Sequence, residues 1–191
     1  MKKIIYFHGY GSTGESGTVV YLRKHLNDCQ IIAPDIEVDP AKALPQLREL
    51  CEWIQPDLII GTSQGGMYAM QMHGFKRVCV NPALRMTLLP DILKKGTFEF
   101  FQPRIDGTTE YTVDDNIIEH YREMEQHMYD GLTPEDAANV YGLFGDSDTT
   151  VNFRDEWKEH FDNFATFEGE HRMNNRVIRD TVLPLVQTLL K

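Results

Sequence analysis

Cysteine is scarce in this chain: Cys29, Cys51 and Cys79 are the only three. No two of them have the spacing of a zinc site or a redox pair, so buried, reduced thiols are expected and no metal. Long apolar runs are missing too. No stretch approaches the roughly 20 residues of a membrane-spanning helix. The apolar run behind Lys2 and Lys3 stops at His8, too short for the core of a secretion signal. A cytoplasmic protein is the resulting expectation. Basic charge is in deficit, with 19 Lys and Arg against 29 Asp and Glu and a formal net charge of -10. Such a surface repels phosphate backbones and anionic lipid, and the cations are scattered, so neither nucleic acid nor a membrane surface is an expected partner.

What is present suits one domain, residues 1–191, with a single sizeable core. Hydrophobic residues make up 41% and charged residues 25% of the 191. Short apolar runs predict strands at Lys3–Phe7, Gln30–Ala33, Leu58–Gly61, Arg77–Asn81, Val140–Phe144 and Ala165–Glu168. They lack a period of two, as strands covered on both faces of a parallel sheet do. Between them, helical spacing is found at Gly17–Leu26, Ala41–Gln55, Gln64–His73, Phe153–Phe161 and Asn175–Leu190. Alternating strands and helices predict an α/β protein with right-handed crossovers and helices on both faces.

One stretch breaks the alternation. From about residue 84 to 134 no strand is evident. It carries Leu84, Leu88, Leu89, Ile92 and Leu93, then Phe98, Phe100 and Phe101. A helical pattern over Asp114–Tyr129 follows, with Ile117, Ile118, Tyr121, Met124 and Met128 on one face. The expectation is a helical lid above the strand ends. Phe98, Phe101, Tyr121 and Met124 would then face a substrate, because Met and aromatic side chains suit an adaptable apolar pocket. The alternative is that the stripe only packs this segment onto the sheet.

The chemistry concentrates at Gly61-Thr62-Ser63-Gln64-Gly65, a G-x-S-x-G pattern between a predicted strand and a predicted helix. A nucleophilic serine must project from a very tight turn, where flanking side chains would collide with strand and helix. Serine needs a base, and the order Ser, acid, His along later strand ends supplies the partners. His171, in Glu168-Gly169-Glu170-His171, is the histidine that directly follows a predicted strand in the C-terminal part. His25, His73, His120, His127 and His160 fall within helical patterns. Asp146 and Asp148 both follow the fifth strand, and the spacing Gly145-x-x-Asp148-x-x-Val151 favours Asp148 as the acid, with Asp146 a turn former or cap. The N–H groups of Tyr10, in Phe7-His8-Gly9-Tyr10-Gly11, and of Gln64 are the expected oxyanion donors. His8 reads as a brace for this loop.

Tyr6-Phe7-His8-Gly9, Gly61-Thr62-Ser63-Gln64-Gly65-Gly66, Val80-Asn81-Pro82-Ala83-Leu84-Arg85, Asp148 with Asn152-Phe153-Arg154, and Glu168-Gly169-Glu170-His171 together resemble the YqiA-like esterases over nearly the whole chain. These are α/β hydrolases of minimal size. The resemblance implies a six-stranded, mostly parallel sheet in the order 2-1-3-4-5-6 and a triad of Ser63, Asp148 and His171. It also implies hydrolysis of a small-molecule carboxylic ester or acyl thioester through an acyl-serine, without a cofactor. The extra acidic residue Asp146 keeps the acid open at this point. The same triad serves cofactor-free peroxidases and perhydrolases. A non-catalytic binding module on this fold would have no need to keep all three residues.

Overall fold

The computed structural model describes residues 1–191. Its elements run β1 (Lys2–Phe7), α1 (Gly17–His25), β2 (Cys29–Ile32), α2 (Pro40–Ile54), β3 (Leu58–Thr62), α3 (Gln64–Met70) and β4 (Arg77–Val80). They continue with β5 (Gly96–Glu99), β6 (Glu110–Val113), α4 (Asp115–His127), α5 (Pro134–Ala137), β7 (Val140–Gly145), α6 (Arg154–His160) and β8 (Phe164–Phe167). The C-terminal helix starts as α7 (Asn175–Val177), widens into a π-turn at Ile178–Val182 and ends as α8 (Leu183–Leu189).

Six strands form one sheet in the order β2-β1-β3-β4-β7-β8, every neighbouring pair parallel. This differs from the expected 2-1-3-4-5-6 only because β5 and β6, which lie outside the sheet, intervene in the chain. Side chains alternate across the strands. Ile5, Phe7, Ile59, Cys79 and Phe144 join one core cluster, and Ile4, Tyr6, Ile60, Val80 and Leu143 the other. The first cluster is closed by α2, α3, α4 and α6 through Leu47, Met67, Tyr121 and Trp157. The second is closed by α1 and the C-terminal helix through Leu22, Ile178 and Val186. Burial on both faces is why the strands read as continuous apolar runs rather than alternating ones.

Helix α2 shows how local chemistry sets an element. Asp39 caps it by accepting from the Ala41 N–H at 3.0 Å, and Pro40 occupies the first turn, where a missing N–H costs nothing. Its apolar stripe is buried at Leu47 and Cys51, and Gln55 ends it in the left-handed region at φ 52°.

The segment between β4 and β7 corrects the expectation of a lid without strands. It contains a separate antiparallel hairpin, in which β5 pairs with β6 from Gly96↔Val113 to Glu99↔Glu110. Each strand has four residues and is mostly exposed. So Gly-Thr-Phe-Glu and Glu-Tyr-Thr-Val are too short and too polar to stand out, although each alternates with a period of two. A cross-strand bond between the Thr97 and Thr112 hydroxyls, 3.0 Å, supports the pair. Helix α4 does form where the spacing placed it, capped by Asp114 onto the Ile117 N–H at 3.0 Å. No helix in the molecule is long and apolar enough to cross a membrane.

Candidate active site

The carboxyl ends of the parallel strands carry the loops that converge on Ser63, as open α/β sheets dictate. Register brings Phe7 of β1 opposite Gly61 of β3, Thr62 opposite Val80 of β4, and Gly145 of β7 opposite Phe167 of β8. The loops after these residues therefore share one edge.

Ser63 joins β3 to α3 at φ 56°, ψ -119°, a conformation that residues with a Cβ rarely adopt. Strain of this kind costs on the order of 1–3 kcal/mol and persists only where the surroundings over-determine it. Here its own N–H donates to the Val80 carbonyl at 2.9 Å, and its carbonyl accepts from the Ala83 N–H at 3.0 Å. Close packing fixes the flanking glycines. A Cβ at Gly61 would collide with the Gly65 carbonyl, and one at Gly65 with the Phe7 and His8 carbonyls.

The structure brings the three expected side chains together. Ser63 Oγ lies 3.0 Å from His171 Nε2, and His171 Nδ1 lies 2.8 Å from Asp148 Oδ2. An ionised carboxylate only accepts, so Nδ1 carries the proton and Nε2 is left as the acceptor for the serine hydroxyl. Asp148 is 3% exposed at its side chain, and His171 is 20% exposed. Burial pushes the Asp148 carboxyl up. Hydrogen bonds from His171 and from the Val151 and Thr150 N–H groups outweigh it, holding the group below the ordinary carboxylate range.

Asp146 faces elsewhere. Its Oδ1 accepts from the Gly169 N–H at 3.1 Å and from the Ser147 hydroxyl at 3.0 Å, tying the β7 loop to the β8 loop. Those bonds, led by the Gly169 N–H, lower its carboxyl's pKa as well.

The loop after β1 runs close beneath Ser63. A Cβ on Gly9 would sit 3.5 Å from Ser63 Cβ. The Tyr10 N–H, one residue on, donates to no protein acceptor. Gln64 starts α3, and its buried side chain reaches away from the site to donate to the Tyr121 hydroxyl. Tyr121 in turn donates to the Val38 carbonyl at 3.2 Å.

The four side chains expected at a substrate wall separate into two groups. Tyr121 is 0% exposed and Met124 is buried, both packed in the core under α4. The helical stripe is thus turned onto the body of the fold at Tyr121, Met124 and Met128, while its first turn, Ile117 and Ile118, is half-buried. The hairpin aromatics lie differently. Phe98 is half-buried on β5 against Tyr111. Phe101 is 76% exposed, and its N–H donates to the Gly11 carbonyl at 2.9 Å, so its ring stands beside the Tyr10–Gly11 turn. No group of three or more His, Cys, Asp and Glu side chains is placed to hold a metal ion.

His8 is the loop's brace. Its Nε2 accepts from the Ile36 N–H at 3.0 Å, and its Nδ1 donates to the Gly9 carbonyl at 2.9 Å. With both nitrogens engaged, the neutral ring has no lone pair left for a second base.

A parallel sheet crossed by helices, with a serine on the turn from β3 into α3 and a histidine and a carboxylate after later strands, is the α/β-hydrolase fold. Residues 3–175 match the uncharacterised protein family UPF0227, and the chain belongs to that family, the YqiA-like family that its motifs imply. Among solved structures it is similar to Est1E from Butyrivibrio proteoclasticus with ferulic acid bound. That match has 14% identity and a TM-score of 0.67, over 100% of this chain and 90% of that one. It is similar to a monoacylglycerol lipase from Paleococcus ferrophilus at 14% identity and a TM-score of 0.66, over 98% and 93%. The thioesterase domain from the curacin biosynthetic pathway has 16% identity and a TM-score of 0.60, over 100% and 91%. At such identities the likeness establishes the fold. No curated protein matches the sequence.

The buried His8 generates a prediction about pH. Burial lowers its pKa from 6.5 to about 4. A group depressed in the folded state stabilises fully above its unfolded pKa and loses that contribution as pH falls through the folded one. His8 should therefore withdraw about 3 kcal/mol between pH 6.5 and 4. His8→Gln keeps an acceptor for Ile36 but does not titrate, so its urea midpoint should fall less steeply over that interval. Parallel curves for the two proteins would refute the assignment.

Proposed function

We propose that this protein is a serine hydrolase that cleaves a carboxylic ester or acyl thioester through an acyl-Ser63 intermediate. One observation carries the reading: the unbroken line from Asp148 through His171 to Ser63, with steps of 2.8 and 3.0 Å, on a strained strand-to-helix turn. A monoacylglycerol lipase and a thioesterase domain are among the structures it is similar to, in agreement with acyl chemistry.

In this mechanism Ser63 Oγ attacks the substrate carbonyl carbon while His171 Nε2 takes its proton. The oxyanion that forms is met by the N–H groups of Tyr10 and Gln64, the latter at the start of α3, where the helix dipole adds to the field. Asp148 holds the imidazole in the required tautomer and stabilises its protonated form. The proton then passes to the leaving alcohol or thiol as the carbonyl–oxygen or carbonyl–sulfur bond breaks. Water attacks the acyl-enzyme in a second round, with Nε2 again as the base, and releases the acid.

The acyl group meets the hairpin side of the site in this reading. Phe101 and Phe98 form its apolar wall, and Tyr121 and Met124 act from behind it by fixing Gln64 and α4. A ring as exposed as Phe101 contributes little to packing, so its apolar surface is available to substrate.

Four substitutions test these roles. Ser63→Ala should leave the fold intact and reduce ester hydrolysis by roughly ~10⁶-fold. Wild-type turnover in the purified variant would end the serine-hydrolase reading. Asp148→Asn should lower the rate by roughly ~10⁴-fold, because the amide favours the wrong His171 tautomer. Asp146→Asn should cost far less, and the reverse ranking would make Asp146 the acid. Phe101→Ala should shift the preferred acyl length, at about 0.8 kcal/mol or roughly fourfold in kcat/KM per methylene, with acetyl-ester turnover nearly unchanged. An unmoved chain-length profile, measured on esters of graded length, would remove Phe101 from the wall.

A further inference from the structure

The segment after β4 is tied to all three loops of the site, and its chemistry is unused by the mechanism above. Its backbone holds the nucleophile: Val80 accepts from the Ser63 N–H, and Ala83 donates to the Ser63 carbonyl. Pro82 packs against the elbow helix so closely that a Cβ on Gly66 would lie 3.1 Å from the proline Cα and Cβ. Between them stands Asn81, 1% exposed and at φ 43° in the left-handed region. Asn tolerates that region better than most residues with a Cβ.

The Asn81 side chain spans the other two loops. Its Oδ1 accepts from the Gly145 N–H at 2.7 Å, at the root of the loop that carries Asp148. Its Nδ2 donates to the Glu170 carbonyl at 3.1 Å and to the His171 carbonyl at 3.0 Å. The orientation of the amide is forced. Exchanging oxygen and nitrogen would set an NH2 against an N–H and an oxygen against two carbonyls. The two Nδ2 hydrogens are both used, each on a carbonyl of the base loop. The Asn81 backbone N–H also bonds the Leu143 carbonyl of β7 at 2.8 Å.

We propose that Asn81 is a positioning residue of the active site, whose amide sets the spacing between the His171 loop and the Asp148 loop relative to Ser63. It touches no reacting atom and acts through the backbone of the residues it holds. The inference rests on the serine-hydrolase reading.

The side chain, rather than the left-handed backbone, is what the proposal requires, and two variants separate them. Asn81→Gly suits φ 43° and removes all three side-chain bonds. Asn81→Asp keeps the shape and the bond from Gly145, but turns an acceptor toward the two base-loop carbonyls. Misplacing a catalytic group by about 1 Å costs on the order of 10²-fold. Each variant should therefore show kcat reduced by about that factor with KM little changed, and a fluorophosphonate probe should label Ser63 more slowly in proportion. Rates are taken per folded molecule, with the folded fraction read from near-ultraviolet circular dichroism. A wild-type protein that the probe does not label at Ser63 sinks the serine-hydrolase reading itself. Labelled wild type together with folded Asn81→Gly or Asn81→Asp at wild-type kcat, even with a lower melting temperature, overturns the positioning role and leaves that reading standing.

Discussion

Everything at this site depends on holding one residue in a conformation it disfavours. Ser63 sits at φ 56° with a side chain attached, and the surrounding backbone must supply what the turn itself lacks. Two elements do so. The end of β1 presses against Gly65, and the segment after β4 bonds both the N–H and the carbonyl of Ser63. The sheet is thus more than a platform. Its central strands clamp the turn from both sides, and a residue larger than glycine would drive α3 off β3 at position 61 or off the end of β1 at position 65.

The loops around this turn are joined to each other as well as to the sheet. Asp146 ties the β7 loop to Gly169, Asp148 gathers the Thr150 and Val151 N–H groups as well as His171, and His8 pins the β1 loop to Ile36. Each is a buried or bridging polar group with its partners in place. The two aspartates of one loop divide the work by direction, one facing the imidazole and the other facing the neighbouring loop.

The inserted segment consists of two parts with different attachments. Helix α4 is fastened to the body by Tyr121, through Gln64 and Val38, and by His120, whose Nδ1 lies 2.8 Å from Asp39 Oδ1. The hairpin has its own two-stranded sheet and touches the loop after β1 at Gly11 through Phe101. The helix therefore belongs with the core, and the free apolar surface beside the Tyr10–Gly11 turn belongs to the hairpin.

The amino-acid sequence by itself determined the α/β architecture, the six strands of the main sheet and the candidate nucleophile and base. Those features are written in local signals: apolar runs of strand length, helical stripes, and glycines where a turn admits no side chain. Tertiary structure alone decided three other matters. Whether Asp146 or Asp148 faces His171 depends on how two loops from different strands meet, and both residues carry the same local chemistry. Whether Tyr121 and Met124 are buried or exposed depends on which way α4 turns its stripe, and a stripe at helical spacing looks identical in either case. The part played by Asn81 was hidden because its partners, Gly145, Glu170 and His171, are 64 to 90 residues away. A side chain that bonds only backbone groups places no demand on the identity of the residues it holds, so nothing in their sequence points back to it.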